Sequence, residues 1–123
     1  MKTTQDLVSA AKAQITEISL SQAKSACDKA DVIIDVREPA EYAAGHIESA
    51  VLLPRGVLEF KIADLPAITG PDSDIVLYCQ VGGRSALAAQ SLAAMGYKNV
   101  VSIAEGYHGW VEADMPIVKP SDL

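Results

Sequence analysis

Apolar runs and polar segments alternate along this chain in a regular way. Four short and nearly continuous apolar runs are typical of buried strands: residues 32–36, 50–53, 74–78 and 99–103. The segments between them repeat apolar residues every three or four positions, which predicts helices. Buried strands separated by helices indicate a parallel sheet with helices on both faces, and therefore an α/β fold.

Capping signals predict where the helices begin and end. Thr3 or Thr4 caps a first helix. Ser19, followed three residues later by Gln22, resembles a capping box that opens a second helix reaching Ala30. The other predictions are a short helix over residues 39–44, a loose helix over 58–65, a long helix closed by Gly96, a short helix over 107–113 and an irregular tail marked by Pro116 and Pro120.

Composition narrows the class of protein. A chain of 123 residues, half of them hydrophobic, is enough for one domain with a single core. The net charge of −6 argues against nucleic acid and against anionic membranes as partners. No apolar run approaches the roughly 20 residues of a membrane span, and the first residues lack the apolar core of a signal peptide. We therefore expect a cytoplasmic protein.

Cys79 is the strongest candidate for chemistry. It follows the strand over residues 74–78 and precedes the loop 80–84, which opens onto an Ala-rich helical stretch. Inward-facing backbone N–H groups of that loop, the helix N-terminus and the charge of Arg84 would each favour the thiolate, which is the nucleophilic form. Cys27 has helical alanine neighbours and is expected in the core, with a redox partnership to Cys79 as the alternative. Two cysteines and two histidines do not match zinc-site spacing, so we expect no metal and no cofactor.

The arginines of the chain share one predicted location. Arg37, Arg55 and Arg84 all follow predicted strands, whereas every other basic residue is lysine. Ligands of parallel α/β sheets bind beyond the carboxyl ends of the strands. The sequence therefore predicts a site for a small anion at this edge of the sheet.

Three motifs together resemble the rhodanese family of sulfurtransferases. They are residues 35–47 (DVREPAEYAAGHI), 79–85 (CQVGGRS) and 105–110 (EGYHGW). The resemblance covers roughly residues 15–113, and it implies a rhodanese-like fold with a five-stranded parallel sheet. Residues 1–14 are interpreted as an added N-terminal helical extension, and residues 15–123 as a single rhodanese domain.

The resemblance also implies a mechanism. Cys79 would take the outer sulfur of thiosulfate or a related anionic donor, carry it as a persulfide, and pass it to cyanide, a thiol or a protein sulfur acceptor. By the same resemblance, the loop would bind the sulfur through Gln80, Val81, Gly82, Gly83 and Arg84. Glycines at 82 and 83 would let the loop curl.

The remaining polar candidates have structural alternatives. Arg55 binds the donor or forms a surface salt bridge with Glu59. Asp35 is expected to anchor the loop or an arginine, and Arg37 to pair with Glu41 across a helical turn.

Two other functions stay open. Four residues separate Cys79 from Arg84, whereas related phosphatases have five, so a cysteine-dependent phosphatase or arsenate reductase is less favoured. A sulfur-relay module that serves a protein partner is the nearer alternative. The family commonly has two glycines where this chain has Gly106 and the bulky Tyr107, and Tyr107 together with His108 would narrow the pocket mouth.

Overall fold

The structure is a computed structural model that describes residues 1–120. Its strands are β1 (Thr16–Ile18), β2 (Val32–Asp35), β3 (His46–Ile47), β4 (Val51–Leu52), β5 (Asp74–Tyr78), β6 (Asn99–Ile103) and β7 (Ile117–Val118). Its α-helices are α1 (Thr4–Lys12), α2 (Leu20–Lys29), α3 (Pro39–Ala44), α4 (Leu58–Lys61), α5 (Gly83–Met95) and α6 (Gly106–Glu112). Short 3-10 turns at Arg55–Val57 and Ile62–Asp64 flank α4.

The central sheet confirms the predicted α/β fold. Five strands pair in parallel in the order β1-β6-β5-β2-β4. Because successive side chains of a strand point to opposite faces, the apolar strands build two separate cores. In β5, for example, Leu77 packs with α4 and α5, while Tyr78 packs with α2 and α6. Strands β2 and β5 are parallel neighbours near the middle of the sheet, so their carboxyl ends lie side by side. The segments that follow these two strands therefore start next to each other.

Both predicted N-terminal caps are confirmed. The Thr3 side chain accepts the N–H of Asp6, and the Asp6 carboxylate accepts the N–H of Thr3. Ser19 and Gln22 form the capping box of α2. Helix α1 packs against α5 through its buried Val8 and Ala11.

One strand was missed by the sequence analysis, and one expectation about secondary structure needs correction. Residues 16–18, which carry no apolar run, form the edge strand β1 beside β6. The tail is not irregular throughout, because Ile117 and Val118 pair antiparallel with Ile47 and His46. The indole N–H of Trp110 donates to the carbonyl of Pro116 and fixes this return of the chain.

None of the helices within residues 1–120 is long and apolar enough to cross a membrane.

Candidate active site

Cys79 directly follows β5 and sits beneath the first turn of α5. The residue is 1% exposed. Its Sγ accepts the backbone N–H groups of Gly82 at 3.2 Å and Ser85 at 3.3 Å. The loop thus curls around the sulfur, and two amide dipoles point at the atom that would carry negative charge as a thiolate.

A pair of buried hydroxyls supports the sulfur from below. The Cys79 thiol donates to Ser85 Oγ at 3.5 Å, Ser102 Oγ donates to the same oxygen at 2.8 Å, and Ser85 Oγ donates to the carbonyl of Gly82 at 3.3 Å. Both serines are fully buried. Sequence reasoning assigned a role to neither, although a serine inside the apolar strand β6 was a visible signal.

Glycine is required at two positions around the loop. Gly82 has a φ of +97°, and a Cβ there would collide with the carbonyl oxygen of Ala104. Gly106 has a φ of +66°, and a Cβ there would lie 2.7 Å from the carbonyl oxygen of Cys79. The start of α6 therefore fits closely beneath the loop, where the N–H of Tyr107 donates to that same carbonyl at 2.8 Å.

The prediction that both loop glycines enable the curl is wrong for Gly83. Its φ lies outside the left-handed region, and a Cβ would make only an ordinary 3.7 Å contact with Val8. Gly83 is simply the first residue of α5.

Asp35 anchors an arginine, as expected, and that arginine is Arg37. The Asp35 carboxylate accepts the N–H, Nε and Nη2 of Arg37 and the hydroxyl of Tyr78, and both members of the ion pair are buried. The predicted pairing of Arg37 with Glu41 is wrong, because the chain turns Arg37 back onto its own strand end. Burial lowers the pKa of Arg37, but the hydrogen bonds and charge of Asp35 outweigh it, so the pKa is raised overall.

Arg37 connects this buried pair to the Cys79 loop. Its Nη1 donates to Gln80 Oε1 at 3.2 Å, and its Nη2 donates to the carbonyl of Gly45 at 2.7 Å. The ring of Tyr107 packs over the guanidinium, 4.3 Å from centroid to Cζ. The neighbouring His108 contacts its own helix α6, where its Nε2 lies 3.4 Å from Glu112 Oε1.

Arg84 is held by Glu41, a partner that the sequence did not suggest. Nη1 donates to Oε1 at 2.7 Å and Nη2 to Oε2 at 3.0 Å, a two-pronged pair between α5 and α3. The hydrogen bonds from Arg84 lower the pKa of Glu41 to about 2, against a smaller cost of burial. These hydrogen bonds and the charge of Glu41 also raise the pKa of Arg84.

Arg55 forms the salt bridge with Glu59 that was one of its two alternatives, at 2.8 Å. It lines a groove between α1 and α5 to which no residue of the loop 80–84 contributes. Cys27 packs with the α2 and α6 core, whereas Cys79 packs with the α4 and α5 core, and both are free thiols. Burial raises the pKa of Cys27 to about 11. The predicted edge of the sheet therefore gathers Cys79, Arg84, Asp35 and Arg37, with Arg55 directed elsewhere.

The protein is thus an α/β protein whose candidate site is a cysteine, cradled by backbone amides at the carboxyl end of a parallel sheet. Comparison with known families agrees with this description. Residues 19–113 match the rhodanese-like domain, and the chain belongs to that family. Thiosulfate sulfurtransferase 18 of Arabidopsis thaliana is 32% identical over 124 residues, which cover 92% of this chain and 91% of that protein.

Two solved structures are similar over nearly the whole chain. The polysulfide-sulfur transferase homodimer of Wolinella succinogenes has a TM-score of 0.77 and 31% identity, covering 94% of this chain and 86% of that one. A protein of unknown function from Rhodopseudomonas palustris, described as a possible tyrosine phosphatase, has a TM-score of 0.79 and 32% identity, covering 96% of both chains.

Proposed function

We propose that this protein is a sulfurtransferase that moves sulfane sulfur from thiosulfate or a related anionic donor to a nucleophilic acceptor through a persulfide on Cys79. The observation that carries the proposal is the buried Sγ between the N–H groups of Gly82 and Ser85 at the start of a 13-residue helix. The presence of sulfurtransferases among similar proteins supports it.

The chemistry takes two steps. The Cys79 thiolate attacks the outer sulfur of thiosulfate, a sulfur–sulfur bond forms as another breaks, and sulfite leaves with the bonding electron pair. An acceptor such as cyanide then attacks the outer sulfur of the persulfide, releases thiocyanate and restores the thiolate. Separating the half-reactions predicts ping-pong kinetics.

Backbone amides suit this reaction because they stabilise an anion without offering a competing nucleophile. Gly82 and Ser85 would bind the inner sulfur. Gly83 and Arg84, in the first turn of α5, have no intrahelical acceptors for their N–H groups, and we assign these N–H groups to the outer sulfur. Gln80 would be positioned by Arg37, and the exposed Val81 would border the entrance.

Cys79→Ala tests the proposal, with Cys27→Ala as the matched control. We expect thiocyanate formation and the mass increase of one sulfur atom after thiosulfate treatment in the wild type and in Cys27→Ala, and neither in Cys79→Ala. Activity that survives Cys79→Ala, or a sulfur adduct on Cys27, contradicts the proposal.

The acceptor is proposed to be a thiol or a protein sulfur acceptor, in the reducing environment of the cytoplasm where both cysteines stay free. A stable persulfide on Cys79 with negligible turnover of thiosulfate would instead identify a relay module.

A phosphatase is the second candidate, because one similar structure is described as a possible tyrosine phosphatase. Hydrolysis of an aryl phosphate without sulfur transfer would favour it. The loop of four residues between Cys79 and Arg84 argues for a cradle that fits one sulfur rather than a tetrahedral phosphate.

A further inference from the structure

Arg84 is the one cation within the loop 80–84, and its charge is already compensated. Its guanidinium makes two hydrogen bonds to the Glu41 carboxylate, at 2.7 and 3.0 Å. A two-pronged arginine–carboxylate pair has no net charge left with which to attract another anion.

Glu41 is itself held in place from its own helix. Its Oε1 also accepts the backbone N–H of Glu38 at 3.0 Å, as the third residue of the α3 capping box. The capping box therefore gives the Glu41 carboxylate a second hydrogen bond that does not involve Arg84. The negative charge is a built feature of the site, carried there by the start of α3.

The pair is also accessible to a donor. The Arg84 and Glu41 side chains are 38% and 33% exposed, unlike the buried Asp35–Arg37 pair, whose side chains are at most 3% exposed. The exposed pair thus faces the solvent from which a donor arrives, and the buried one does not.

The geometry points to Glu41 as a specificity-determining residue that neutralises Arg84 and so disfavours dianionic sulfur donors relative to donors with one negative charge. This inference rests on the proposed sulfurtransferase function and concerns which donors that site accepts. With Glu41 present, the backbone amides of the loop attract the donor. The amides bind the sulfur atom that is transferred, and this atom is present both in thiosulfate and in donors of lower charge.

Two donors of nearly equal shape test this inference. Methanethiosulfonate is thiosulfate with one oxyanion replaced by a methyl group. Attack by the Cys79 thiolate gives the same persulfide and releases methanesulfinate in place of sulfite. The quantity to measure is the ratio of kcat/KM for thiosulfate to kcat/KM for methanethiosulfonate.

Glu41→Gln is the informative variant, because glutamine still accepts the N–H of Glu38 and preserves the capping box. We expect the ratio to rise about fivefold, which corresponds to ~1 kcal/mol of attraction between one uncompensated charge and the extra charge of thiosulfate. Asp28→Asn, which breaks an exposed pair with Lys24 on α2, makes the same change in net charge and should leave the ratio unaltered. Equal ratios in Glu41→Gln and Asp28→Asn overturn the inference.

A double-mutant cycle shows whether Glu41 acts through Arg84. Arg84→Gln alone should lower the ratio, because Glu41 then stands uncompensated. Arg84→Gln combined with Glu41→Gln should return it towards the wild-type value. A fivefold gain that persists in the double variant contradicts an action through Arg84.

Alkylation of Cys79 separates this inference from the proposed function. Iodoacetate and iodoacetamide have nearly the same size and differ by one charge, and Cys27→Ala as background leaves one thiol. We expect the iodoacetate-to-iodoacetamide rate ratio to rise about fivefold in Glu41→Gln and to fall in Arg84→Gln. Absence of persulfide from both donors would refute sulfur transfer, while an unchanged alkylation ratio would refute the role of Glu41.

Discussion

At the scale of single residues, the two adjacent glycines of the Cys79 loop differ in what their positions demand. Gly82→Ala should lower the free energy of unfolding by more than about 2 kcal/mol, because an L-residue is strained at a φ of +97° and its Cβ would meet the carbonyl of Ala104. Urea unfolding measures the loss directly.

Gly83→Ala is the matched control for that loss. A Cβ there has room and a helical backbone, so stability should stay the same or rise by roughly 0.4–1 kcal/mol. Equal destabilisation by both substitutions would contradict this account of the loop.

The parts of the candidate site that depend on residues close together in the chain were predictable from the sequence. The thiol at a strand end, the loop and the Asp35 anchor all follow from residues close in the chain. The Glu41–Arg84 pair joins residues 43 positions apart, and nothing local distinguishes Glu41 as the partner of Arg84 rather than of Arg37. The contact of Ser102 to Ser85 likewise depends on β6 lying beside β5, so the serine inside an apolar strand was visible in the sequence but its partner was not.

At the scale of elements, the Glu41–Arg84 pair links α3 to α5 and should make stability depend on pH. The pKa of Glu41 is lowered from its ordinary 4.5 to about 2, chiefly by Arg84. Ionised Glu41 therefore stabilises the fold fully above pH 4.5, and this stabilisation disappears as the pH falls through about 2.

The expected size is small because the pair is partly exposed. Wild type should exceed Glu41→Gln by roughly 0.2–1 kcal/mol in the free energy of unfolding at pH 7, and the difference should vanish near pH 2. Urea titrations of both proteins across this range provide the measurement. A difference that is constant with pH would show that Glu41 contributes through packing and not through charge.

Elements marked by an apolar run or by capping residues were predictable, and strands without such marks were not. Strands β5 and β6 and helices α3 and α5 appear where periodicity and caps place them. Strand β1 has three residues and an exposed edge, so its strand conformation comes from pairing with β6 and not from its own pattern. Strands β3 and β7 have two residues each and pair with each other.

At the scale of the whole molecule, α1 is continuous with the core although it precedes the family match that begins at residue 19. Val8 is 9% exposed, and its side chain contacts α5 next to Gly83. Val8→Ala should therefore lower the free energy of unfolding by about 1–2 kcal/mol, from the loss of buried apolar surface.

Leu7→Ala, one position earlier on the same helix, provides the control. Leu7 is 48% exposed, so its truncation should change stability by less than about 0.5 kcal/mol. Urea unfolding of the two variants distinguishes an integral α1 from a loose extension. If the two substitutions lowered the free energy of unfolding equally, α1 would be a peripheral addition. The start of α5, which surrounds Cys79, would then hold its position without α1.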